Sequence, residues 1–91
     1  MRELREVHIA VDASATLLSP SELGVLCAAA NGLTAAETAA KLGKGTQTVK
    51  TQRGQTLLKL GARNTAQAVC IATECGLLTT DEQAFELRRA A

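Results

Sequence analysis

The sequence contains a single Phe and neither Tyr nor Trp. A core without aromatics has to be assembled from aliphatic side chains, and alanine is plentiful. That disfavours a β-sandwich, which draws on aromatic and β-branched residues, and favours closely packed helices. No long apolar run is present, so nothing reads as a membrane span or a secretory leader. The one histidine, His8, is not accompanied in the sequence by a set of residues for catalysis or metal binding. Cys27, Cys70 and Cys75 show no paired metal spacing. An odd thiol count without a leader points to a reducing cytosol, with the cysteines serving as small buried hydrophobes. Phosphate loops and nucleophile motifs are missing as well. No catalytic role is expected and no cofactor is implied. A chain of 91 residues is bounded to one domain with little room for a deep substrate cavity.

The net charge of +1 says nothing about partners, but its distribution does. Residues 1–43 and residues 64–91 each carry a net −2. Between them, residues 44–63 hold Lys44, Lys50, Arg53, Lys59 and Arg63 and no acid, a local +5. A solvated helix face more often mixes signs; one basic segment in a near-neutral chain is the footprint of a polyanion site.

Local punctuation marks the helices. Ser19-Pro20-Ser21-Glu22 is a capping box with Pro at the first helical position, and Leu18 and Leu23 suit a hydrophobic staple around it. Thr34-Ala35-Ala36-Glu37 and Asn64-Thr65-Ala66-Gln67 repeat the layout, and Thr79-Thr80-Asp81-Glu82 is a fourth candidate. Gly32, Gly43, Gly61 and Gly76 stand where the helices should stop. The spacing predicts helices at about 19–31, 34–42, 46–60 and 64–75, with a possible short fifth near 80–89. The fold class is therefore all-α, a compact four-helix domain over 18–78. An N-terminal arm of uncertain structure covers 1–17 and a C-terminal helix or tail covers 79–91. Within this stretch, Val7 to Val11 reads as a short strand or as an arm.

The second and third helices are joined only by Gly43-Lys44-Gly45. Ala39, Gly43 and Val49 then have helix-turn-helix spacing: a small residue where helices cross, a glycine for the turn, and an aliphatic to lock the third helix. On a wheel with Val49 pointing inward, Gln47, Lys50, Thr51, Gly54 and Leu58 share the outward face. Lys50 can donate to guanine or phosphate, Gln47 can read adenine or meet a backbone oxygen, and the Thr51 methyl can meet a thymine methyl.

These motifs sit in a longer pattern. It comprises Leu18-Ser19-Pro20, Glu22, Val25-Leu26, Gly32-Leu33-Thr34, Glu37, Ala39-Ala40, Leu42, Thr48-Val49-Lys50, Arg53, Leu57, Lys59-Leu60-Gly61, Arg63-Asn64 and Gln67-Ala68-Val69. In this run the chain resembles the LuxR-type (NarL/FixJ, GerE-like) DNA-binding domain. The resemblance implies a helix-turn-helix transcriptional regulator, cytoplasmic and nucleoid-associated, whose third helix enters the major groove of double-stranded DNA. It assigns base reading to Lys50, Thr51 and Gly54, to which the wheel adds Gln47; Thr34, Thr46, Thr48, Arg53 and Lys59 are better placed for backbone contact through hydroxyls, charges and helix N-termini. It also implies a homodimer through the fourth helix, with Ala66, Val69, Cys70 and Thr73 as interface candidates. A stand-alone domain without a receiver is expected, since 17 preceding residues cannot hold one.

Several residues depart from the family habit: Lys44 for a buried aliphatic, Gly45 for a Ser cap, Thr38 and Thr56 for isoleucines, and Gly54 inside the third helix. With the apolar Leu58 they leave open a second reading. In it, the scaffold is a protein-interaction module (an adaptor, an anti-repressor or a sigma region 4-like unit) that binds RNA polymerase or another regulator.

Overall fold

A computed structural model describes residues 6–10 and 17–80. Its elements in chain order are β1 (Val7–Ile9), α1 (Pro20–Ala30), α2 (Ala35–Leu42), α3 (Thr46–Leu60), α4 (Thr65–Glu74) and β2 (Leu78–Thr80). The helices lie within one residue of the bounds that caps and glycines indicate. Both reciprocal capping boxes form. The Ser19 hydroxyl accepts from the Glu22 amide and Glu22 accepts from the Ser19 amide; Thr34 and Glu37 do the same. At α4 the layout changes. Asn64 accepts from the Gln67 amide at 2.8 Å, but Gln67 reaches one residue further back, to the Arg63 amide.

The C-terminal ends close by a common hydrogen-bond pattern. The Leu33, Lys44, Ala62 and Leu77 amides return to the carbonyls of Ala28, Ala39, Leu57 and Ala72. At the turn between α2 and α3 this closure requires the left-handed backbone of Gly43, φ 67° and ψ 37°, which a side chain would strain.

Two apolar clusters share α1. Leu23 and Leu26 pack with Leu18, with Ala68 and Ala72 of α4, and with Leu78 of β2. Val25, from another face of α1, meets Ala39 of α2 and Val49 of α3. The expected staple is real, since Leu18 and Leu23 are buried in the same cluster.

The helical fold carries a small antiparallel sheet that composition did not announce. β1 pairs with β2 in the register Val7 to Thr80, His8 to Thr79 and Ile9 to Leu78. Asn31, at the end of α1, secures it: its Oδ1 accepts from the Val7 amide at 2.7 Å and its Nδ2 donates to the Val7 carbonyl at 3.0 Å. The Cys27 thiol donates to the same carbonyl at 3.1 Å, and burial pushes its pKa up. Of the two readings open for Val7 to Val11, the strand is the one observed over Val7–Ile9, and Val11 lies outside the described residues. Thr79 and Thr80, read as the start of a fifth helix, are extended in β2 because they pair with β1. The remainder of the 80–89 segment lies outside the described residues.

Candidate nucleic-acid interface

The interface is built on the crossing of α2 and α3. Val49 is fully buried and Ala39 nearly so, and both touch Val25. With Val49 and Thr56 facing inward, 3.6 residues per turn dictate what faces out. Gln47, Lys50, Thr51, Gly54 and Leu58 are all exposed. The side chains singled out in the sequence for base reading therefore lie on one solvent-facing side of α3.

The turn contributes its own contacts. Lys44, half-buried, sends Nζ to Gln52 Oε1 at 2.9 Å and so braces the turn against α3. Gly45 occupies the N-cap of α3 and supplies no side-chain acceptor. The first-turn amides of α3 thus keep the partial positive charge of a helix start, with Thr46 and Thr48 exposed beside them. Thr34 is also exposed, but its hydroxyl caps α2 by accepting from the Glu37 amide at 3.1 Å.

The remaining basic residues are more committed than their charge alone indicates. Arg53 is half-buried; its Nη2 donates to the Leu33 carbonyl at 2.9 Å, and its Nε is buried without a partner. Lys59 sends Nζ to Glu22 Oε1 at 2.8 Å and to the Leu17 carbonyl at 3.3 Å. Glu22 is 4% exposed. Its carboxyl is held below the usual glutamate range, first by the Lys59 hydrogen bond and then by the Ser19 amide. Sequence reasoning assigned Glu22 only to a capping box. Its partner lies 37 residues away, so no local signal announces the pair.

On α4, Ala66, Cys70 and Thr73 are exposed at successive turns of one face, whereas Val69 is half-buried against the core. The expectation of buried cysteines fails for two of three. Cys70 and Cys75 are exposed and Cys27 is half-buried, because the inward face of α4 is already filled by Ala68 and Ala72. Among the described residues no helix is long and apolar enough to cross a membrane.

A buried small residue in α2, a left-handed glycine turn and α3 with an outward polar and basic face define a helix-turn-helix domain. Residues 16–72 match the family model GerE, bacterial regulatory proteins, luxR family. The match covers well over half of the chain, which therefore belongs to this family of DNA-binding regulatory domains. No individually curated protein matches it.

Proposed function

We propose that the domain is a sequence-specific transcriptional regulator that lays α3 in the major groove of double-stranded DNA. One observation carries the reading: Gln47, Lys50, Thr51 and Gly54 are exposed together on α3, within a segment that holds five cations and no acid. A rigid polar helix with this charge suits a groove that presents guanine and adenine acceptors between two rows of phosphates. Lys50 and Gln47 read base edges, the Thr51 methyl meets thymine, and Gly54 lets the backbone approach closely. Thr46, Thr48 and Thr34 serve phosphates beside helix starts. Arg53 and Lys59 serve them as charges already anchored to Leu33 and Glu22. The site of action is the cytoplasmic nucleoid, and no catalysis is involved.

A homodimer through the exposed Ala66, Cys70 and Thr73 face of α4, with Val69 at its edge, would read two half-sites related by the symmetry of the protein. The second reading, a module that binds RNA polymerase or another regulator, draws on the exposed Leu58.

Selection from a random pool of duplexes with the purified chain tests the choice. DNA binding requires one enriched motif. Affinity for it should fall with salt at a log–log slope of about −3 to −5 per subunit. Replacing Lys50 by Ala should cost about 1–3 kcal/mol at that motif. A pool that stays random, or a signal indifferent to salt, rules the reading out.

A further inference from the structure

We infer that Leu58 is a specificity-determining residue that reads a thymine 5-methyl group, paired with a second such contact from Thr51 across the gap left by Gly54. The inference rests on the DNA-binding reading above. Leu58 lies nine residues after the buried Val49, about 180° around the helix, so it sits at the middle of the outward face rather than at its edge. It is 84% exposed. The large exposed hydrophobics among the described residues are Ile9, Leu17, Leu42 and Leu58, and of these only Leu58 belongs to α3.

A single leucine makes a poor protein-docking patch. Such surfaces need contiguous apolar area, and the other exposed residues of this face are Gln47, Lys50, Thr51 and Gly54. The segment around it is acid-free, which favours a polyanion over a neutral peptide. Within a major groove, the apolar counterpart for one isolated leucine is the methyl group of thymine.

Gly54 makes the pairing geometrically reasonable. A Cβ at this position would meet nothing within 4 Å in the protein, so the space over it is open to whatever covers the helix. Thr51 and Leu58 flank that space on the same face. They are separated by about 10.5 Å of helix rise, which spans about three base-pair steps. The half-site should therefore carry two A·T pairs at that separation, with thymines presented to α3.

The test uses the motif recovered from a random duplex pool and a set of copies in which each thymine in turn becomes deoxyuridine, which lacks only the methyl. One replacement should weaken the unsubstituted chain about fourfold and leave Leu58→Ala indifferent. A second, about three positions away, should behave the same way with Thr51→Ser. Leu58 is solvent-facing, so thermal unfolding of Leu58→Ala should match that of the parent. The inference is overturned if no deoxyuridine position distinguishes Leu58→Ala from the parent, even though both bind the motif; DNA binding then stands without it. It is equally overturned, together with the DNA reading, if the pool yields no motif. If Leu58→Ala binds DNA normally but loses a protein that copurifies with the parent, the leucine serves that protein instead.

Discussion

Lys59 and Glu22 join the end of α3 to the start of α1 through a 2.8 Å contact whose acidic side is almost wholly buried. Oε1 of Glu22 also accepts from the Ser19 amide at 2.8 Å, so one oxygen serves both a helix cap and a tertiary ion pair. The Lys59 side chain is 41% exposed, and water screens that end of the pair.

The pair makes stability depend on acid. A carboxyl with a lowered folded-state pKa takes up its proton more readily in the unfolded chain. Its contribution is whole above the ordinary value of 4.5 and is lost as pH falls through the depressed folded value. Urea unfolding should show this loss below pH 4.5 in the parent and a smaller one in Lys59→Ala. At neutral pH Lys59→Ala should cost about 1–3 kcal/mol, because Glu22 is left buried with only its cap. An identical acid limb in parent and variant would mean that the contact contributes nothing.

Two buried threonines separate a satisfied hydroxyl from an unsatisfied one. Thr38 is fully buried and its Oγ1 has no partner, whereas Thr56 Oγ1 donates to the Gln52 carbonyl at 2.8 Å. Thr38→Val keeps the shape and removes a desolvated polar atom, so it should raise stability by about 1 kcal/mol. Thr56→Val gives up a formed bond and should gain less. The order of their urea midpoints is the measurement; a larger gain at Thr56 contradicts this account.

The helices were legible because their signals are local. Ser19 with Glu22, Thr34 with Glu37, and the glycine at 43 each act within a few residues, and the structure uses them at those places. The outward face of α3 followed from Val49 alone, because helical periodicity fixes the rest once one inward residue is known. What was missed is tertiary. β1 depends on Asn31, 24 residues from Val7, and nothing in Val7-His8-Ile9 announces that an asparagine at a helix end will hold it. Lys59 reads in the sequence only as a candidate for DNA-backbone contact, because its carboxylate partner Glu22 lies 37 residues away. Cys70 and Cys75 were expected to be buried because cysteine usually packs as a small hydrophobe, and residue type does not reveal which side chains turn outward.

Gly54 sets folding against binding. Glycine inside a helix costs about 1 kcal/mol relative to alanine, and an added Cβ would meet no protein atom within 4 Å. Gly54→Ala should therefore raise the thermal midpoint. If the bare backbone serves close approach to DNA, the same change should weaken binding to the selected motif several-fold. Opposite signs in unfolding and binding support that role. A variant that gains stability and binds as well as the parent shows that nothing needs the space.

The exposed face of α4 can be tested without weakening the fold. Ala66 is solvent-facing in the first turn of α4, where an added carboxylate interacts favourably with the helix dipole. Ala66→Glu should thus leave the monomer at least as stable as before. Across a two-fold interface the same residue recurs on both copies, so the change sets carboxylates against one another in a desolvated contact. Sedimentation should show the parent as a dimer and Ala66→Glu as a monomer. Affinity for a two-half-site duplex should drop by about 10²–10⁴, the usual gain from linking two binding events, while affinity for a single half-site stays the same. Unchanged mass and unchanged two-site affinity would place any dimer contact elsewhere than on the Ala66, Cys70 and Thr73 face.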